Sequence, residues 1–129
     1  MNKKITILYV DDEDINLFLF ERSLSSTYKV LTAKSGEEGL RILGESSDEI
    51  VMVITDMRMP GMDGLLFIRK AKEKFHNISY YVLTAFNFNE EINTAIEDKL
   101  INNFFTKPFD IETIKAEIGR VASKLNLIG

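Results

Sequence analysis

Five short apolar runs, each followed by a stretch with helical spacing, constrain this chain more tightly than any other feature of its sequence. They occupy residues 5–10, 29–33, 50–55, 80–84 and 103–106. The third, IVMVIT, is strand-prone throughout and stops at Asp56. Such an uninterrupted run suits a strand buried on both faces, as in a parallel sheet covered by helices. Between the runs, INLFLFERSL carries apolar residues densely, as a helix pressed against a sheet would. Ser35 followed by Glu38 reads as a capping box opening a helix through Leu43, which Gly44 would end. Residues 65–75 and 89–99 read as two further helices, the second opening with Glu90 and Glu91, which complement the helix dipole. From about Asp110 onward, Ile111, Ile114, Ile118, Val121 and Leu125 recur every three or four residues, the apolar stripe of a last helix. Strand–helix alternation repeated five times predicts an α/β fold: an open, doubly wound domain around a parallel sheet, with right-handed crossovers.

A single domain over residues 1–129 suits this length, enough to bury roughly two-thirds of the unfolded surface. Hydrophobic residues are 45% and charged residues 28% of the chain, a balance that excludes a disordered or fibrous protein. The formal charge of −4 gives no general attraction to nucleic acid or anionic lipid, so neither is expected as a direct partner. Cysteine is absent, which removes disulfides, thiol catalysis and thiolate metal sites. The apolar run in MNKKITILYVDDED is too short for a signal-peptide core. No apolar stretch approaches the roughly 18 residues of a membrane span. A cytoplasmic protein is the expectation.

In open parallel sheets, ligands gather beyond the carboxyl ends of the strands, near the point where the strand order reverses. The residues that close or follow each run are therefore the informative ones. Asp11, Asp12, Glu13 and Asp14 follow the first run and Asp56 the third; Thr84 closes the fourth and Lys107 follows the fifth. In the expected fold they converge on one rim. Three crowded carboxylates repel one another unless a cation intervenes. An all-oxygen site with a lysine and an anionic ligand suits Mg²⁺, which takes one or two carboxylates plus phosphate oxygens and keeps several waters. A carboxylate beside such an ion can attack phosphorus and carry the group as an aspartyl phosphate. Phosphoryl transfer needs mainly positioning and charge neutralisation. For this chemistry the chain offers Asp11 and Asp12 as metal acids, Asp56 as nucleophile, Thr84 as hydroxyl donor and Lys107 as cation.

Four motifs, ILYVDDED, VITDMRMPGMDG, VLTA and FFTKPF, lie in that order on the five-fold pattern. Together they resemble the receiver (CheY-like) domain of bacterial two-component response regulators, over about residues 4–127. The resemblance implies a flavodoxin-like doubly wound (βα)5 fold with a five-stranded parallel sheet in the order 2-1-3-4-5. It implies that Asp56 is the phosphoacceptor. The side chains of Asp12 and Asp56 and the backbone carbonyl of Arg58 would ligate Mg²⁺, with Asp11 acting largely through bound water. Lys107 would pair with the Asp56 carboxylate and later with phosphoryl oxygens, while Thr84 would hydrogen-bond the phosphoryl group. Phe104 stands at the place of the switch aromatic, and the Lys107–Pro108 bond would be cis, which proline makes affordable. Pro60 and Gly61 suit the centre of a tight turn that leaves Asp56 reachable.

The implied function is that of a signalling module, not a metabolic enzyme. It would accept a phosphoryl group from a sensor histidine kinase or a histidine phosphotransfer protein. The face made by the fourth helix, fifth strand and fifth helix would then change for a downstream target, an output domain or a weak homodimer; at rest a monomer is expected. Arg58 and Phe86 stand two residues after the phosphoacceptor and the threonine, positions that tune phosphoryl loss in this family. A long cation and a bulky ring there would shield the acyl phosphate from water. Phe104 has no polar tip, so its inward position would carry no desolvation penalty. The alternative is a pseudo-receiver, an interaction module independent of phosphorylation, against which the complete acid–threonine–lysine set argues. A phosphatase using an aspartyl intermediate would want a second acid where Arg58 stands. The basic stretch RKAKEK reads as a solvated helix face, and His76, remote from the rim, as chemically idle.

Overall fold

Each apolar run becomes a strand and each segment between them a helix in the computed structural model, which describes residues 4–85 and 90–125. In chain order the elements are β1 (Thr6–Val10), α1 (Asp14–Leu24), β2 (Lys29–Ala33), α2 (Gly36–Ser46), β3 (Ile50–Asp56), α3 (Gly64–Lys74), β4 (Ser79–Thr84), α4 (Glu90–Glu97), β5 (Asn103–Thr106) and α5 (Ile111–Lys124). The five strands form one parallel sheet in the order β2-β1-β3-β4-β5. The chain therefore moves one way from β1 to β2 and the other way thereafter. α1 packs on one face of the sheet and α2, α3 and α4 on the other. The change of direction comes with a change of face, so all four crossovers keep one hand, as the chirality rule demands.

Alternation along the strands divides the core in two. Ile7, Tyr9, Met52, Ile54, Tyr81 and Leu83 meet Leu17, Phe20 and Leu24 of α1 and Ile114, Ile118 and Val121 of α5. On the opposite face Leu8, Val10, Val53, Tyr80 and Val82 meet Leu43 of α2, Phe67, Ile68 and Ala71 of α3, and Ile92 and Ala95 of α4. Two covered faces explain why IVMVIT does not alternate with polar residues. Each such aliphatic or aromatic side chain contributes roughly 1.5–3 kcal/mol on burial.

The helix boundaries follow their caps. The Ser35 Oγ accepts from the Glu38 N–H at 3.1 Å, and the Glu38 carboxylate reaches back to the Lys34 N–H at 3.0 Å. Gly44, expected to end α2, lies inside it; the helix continues to Ser46 and is closed by the Ser47 N–H on the Leu43 carbonyl. α3 starts at Gly64, capped by Asp63, whose side chain accepts from the Leu66 N–H at 2.9 Å. α4 stops at Glu97, short of the expected 99, and Lys99 adopts a left-handed φ of 62°. Asn89, expected to open it, lies outside the described residues. Leu125, expected in the apolar stripe of α5, is exposed beyond the helix end. On α1 only Leu17, Phe20 and Leu24 are buried, whereas Ile15 (59%), Phe18 (55%) and Leu19 (45%) face outward.

Candidate functional site

The ladder of the sheet brings the carboxyl ends of four strands together. Val10 ends β1 between Ala33 and Thr55, and the Asp11 N–H continues the ladder by donating to the Ala33 carbonyl at 3.1 Å. Asp56 ends β3 opposite Leu83 of β4, and the Met57 N–H donates to the Leu83 carbonyl at 3.2 Å. Thr84, buried, closes β4 opposite Thr106, and the Lys107 N–H donates to the Thr84 carbonyl at 2.7 Å. These bonds set Asp11, Asp56, Thr84 and Lys107 along one rim.

On that rim Asp11, Asp12 and Asp56 each place a carboxylate oxygen within 4.8 Å of the others. Asp11 and Asp56 are buried, while Asp12 is exposed. The Lys107 ammonium lies 2.6 Å from Asp56 Oδ1. The Lys107–Pro108 peptide is cis. Burial pushes the Asp56 carboxyl above its usual range, and the charges of Asp11 and Asp12 push the same way, against the opposing hydrogen bond and charge of Lys107. Burial alone would lower Lys107, but its hydrogen bond to Asp56, with the charges of Asp56, Asp11 and Glu13, outweighs this and raises it. One amine therefore faces three acids, and the rim carries excess negative charge.

Asp11 does not find its orientation alone. Its Oδ2 accepts from the Tyr9 hydroxyl at 2.6 Å and from Asn16 Nδ2 at 3.2 Å, and its Oδ1 accepts from the Glu13 N–H at 3.0 Å. Asp56 is fixed from behind by α3. The Gly64 N–H donates to the Met57 carbonyl at 3.0 Å, and a Cβ on Gly64 would stand only 2.3 Å from the Asp56 backbone oxygen. Only glycine permits the helix to start this close to the strand end. Gly61 turns the chain between them with φ of 76°, a conformation glycine adopts readily.

The remaining expected residues lie around this centre. The Arg58 side chain is exposed and reaches Glu91 at the start of α4, at 3.7 Å. Phe104 is half-buried on the sheet face shared with α4. Phe86 lies outside the described residues. Tyr9, Asn16 and Gly64 were not anticipated from sequence. The signal for Tyr9 was present: two residues before Asp11 on a strand, it shares the face of that acid. The contact that explains Gly64 spans from strand to helix, and spacing does not reveal it.

Residues 7–119 match the family model for the response regulator receiver domain. The chain is 33% identical to the sporulation initiation phosphotransferase F of Bacillus subtilis over 116 residues, covering 89% of this chain and 90% of that protein. It is 28% identical to the hydrogenase transcriptional regulatory protein HoxA of Cupriavidus necator over 84% of this chain but only 22% of that longer relative. A crystal structure of a response regulator receiver domain protein from Clostridium thermocellum superposes with a TM-score of 0.87 at 29% identity, covering 95% of this chain and 97% of that one. The fold and the acidic rim thus define a CheY-like signalling module. The chain belongs to the receiver domain family of two-component response regulators. Among the described residues, no helix is long and apolar enough to cross a membrane.

Proposed function

We propose that the chain is a phosphoacceptor: Asp56 receives a phosphoryl group from a phosphohistidine of a partner kinase or phosphotransfer protein, in the presence of Mg²⁺. The observation that carries this reading is the Lys107 ammonium at 2.6 Å from an Asp56 carboxylate gathered with two further acids. The donor set fits the ion: hard carboxylate oxygens, two from adjacent residues and one from a distant strand, with negative charge left over after Lys107 is counted. Asp12, Asp56 and the Arg58 carbonyl would hold Mg²⁺, with Asp11 acting through water. When bound, Mg²⁺ supplies charge neutralisation at the phosphoryl oxygens and among the acids.

The chain's own residues do the rest. An Asp56 oxygen attacks phosphorus; the O–P bond forms as the P–N bond breaks, and the donor imidazole leaves with that electron pair. Lys107 moves its hydrogen bond from the carboxylate to a phosphoryl oxygen. Thr84 donates its hydroxyl to another, and Phe104 follows inward, altering the face of α4, β5 and α5. Phosphorylation shifts this equilibrium by its differential interaction with the two states. Ile15, Phe18 and Leu19, one face of α1 next to the Asp11–Glu13 loop, offer apolar area where a donor protein can sit beside the rim. The chain would work in the cytoplasm as one receiver domain.

The test is mass spectrometry after incubation with acetyl phosphate and Mg²⁺. One added phosphoryl group, removed by hydroxylamine and absent from Asp56→Ala, is expected. A protein left unmodified would support the pseudo-receiver, and equal modification of Asp56→Ala would displace the acceptor.

A further inference from the structure

Tyr9 sits on the α1 and α5 face of β1, almost wholly buried, and takes no part in the chemistry above. Its hydroxyl nevertheless donates to Asp11 Oδ2 at 2.6 Å, a short, charge-assisted contact. An ionised carboxylate offers roughly four acceptor directions. Tyr9, Asn16 and the Glu13 N–H occupy three of those of Asp11. Both donors from side chains converge on Oδ2, so the direction left open belongs to Oδ1. Asp11 is fully buried and cannot choose its rotamer through contact with solvent. Its carboxylate points where these three donors make it point.

The Tyr9 ring is fixed as well. It stacks on Phe20 of α1 with centroids 4.1 Å apart and planes 16° from parallel. Phe20 in turn meets the edge of Phe109 at 5.4 Å. Phe109 follows Pro108 and stands two residues beyond Lys107. One aromatic column therefore runs from Tyr9 of β1, which holds Asp11 just beyond the strand, through α1 to the loop that carries the amine.

We infer that Tyr9 is a positioning residue for the divalent cation: its hydroxyl presets the Asp11 carboxylate so that the ion meets an ordered acid. This rests on the proposed Mg²⁺ site. Partners that orient a metal ligand typically change affinity about 10–100-fold when removed, and because Asp11 acts through water the loss belongs at the low end of that range. Tyr9→Phe deletes the hydroxyl and keeps the stacked ring. Titration calorimetry of the unphosphorylated protein with Mg²⁺ should show binding weakened about tenfold or more. The rate of phosphorylation by acetyl phosphate should fall at limiting Mg²⁺ and return to within about threefold of wild type at saturating Mg²⁺. Phe20→Leu, which disturbs the column but leaves the hydroxyl bond, should lower the melting temperature and keep Mg²⁺ affinity within about threefold. In the wild type, the ring carbon resonance next to the Tyr9 hydroxyl should move as Mg²⁺ is added, a readout that needs no variant to fold. Equal Mg²⁺ affinity in Tyr9→Phe and wild type, or a Tyr9 resonance indifferent to Mg²⁺, overturns the inference. A wild type that binds no Mg²⁺ overturns instead the reading on which it rests.

Discussion

Gly64→Ala is the perturbation whose consequence can be worked furthest from the geometry. The added Cβ would stand 2.3 Å from the Asp56 carbonyl oxygen and 3.2 Å from the Asp56 carbonyl carbon and from Met57 Cα. Carbon–oxygen contacts settle at about 3.3 Å or more, so backbone and methyl must part by about 1 Å. All the atoms in the way are backbone, and no side chain can swing aside. Overpacking of this kind costs about 1–3 kcal/mol, offset by less than about 1 kcal/mol from replacing glycine in a helix. A net loss of about 1–2 kcal/mol corresponds to a melting temperature lower by roughly 3–8 °C at this chain length. The larger effect falls on the rim, because a displacement of about 1 Å at a reacting group can cost on the order of 100-fold in rate. The assay is the rate of phosphorylation by acetyl phosphate at saturating Mg²⁺, beside a thermal melt. Gly44→Ala is the control: its Cβ would meet nothing within 4 Å inside α2, so stability should rise by about 0.5–1 kcal/mol with the rate unchanged. A Gly64→Ala protein that phosphorylates within twofold of wild type would refute the close-approach reasoning.

Three further outcomes are expected. Asp56→Asn should raise the melting temperature at neutral pH without divalent cation. A carboxyl held above its unfolded value costs stability once pH exceeds that value, and Asp56 is raised by burial and its acidic neighbours; a lower melting temperature would mean that the Lys107 pair dominates. Tyr81 donates to Glu117 Oε2 at 2.5 Å, and Arg120 grips the same carboxylate at 2.6 Å. That Arg120 bond, with help from Tyr81, holds Glu117 below its usual range, so its contribution is present above the unfolded value near ~4.3 and is lost as pH falls through the folded one. Tyr81→Phe should cost about 1 kcal/mol at pH 7 and progressively less as the melt is repeated below about pH 4; a constant difference would contradict this. Arg58→Asn combined with Phe86→Ala should speed decay of phosphorylated Asp56, followed by loss of the added mass, and equal or slower decay would remove the shielding role.

The sheet was legible because its strands are buried on both faces: an apolar run that does not alternate has few other places to go. The rim was legible because it is made of strand ends, so Asp56 and Lys107 could be placed without any side-chain geometry. What escaped depends on packing. INLFLFERSL looks uniformly buried, yet the helix turns Ile15, Phe18 and Leu19 outward, since density of apolar residues does not say which stripe meets the sheet. Gly44 read as a stop because glycine commonly follows helices, but Ser47 supplies the terminal bond three residues later. Leu125 keeps the spacing of α5 after the helix has ended. The hydroxyl of Tyr9 on Asp11 is a local contact that the two-residue strand spacing allowed but did not single out, whereas the approach of Gly64 to Asp56 is a tertiary fact that spacing does not carry.

The most direct measurement is a crystal soaked with Mn²⁺ and recorded for its anomalous signal. A single strong peak is expected on the rim, about 2.0–2.3 Å from oxygens of Asp12 and Asp56, with the Lys107 ammonium within a few ångströms. A peak elsewhere, or none at Mn²⁺ concentrations that support phosphorylation, would contradict a cation pocket assembled around Asp56.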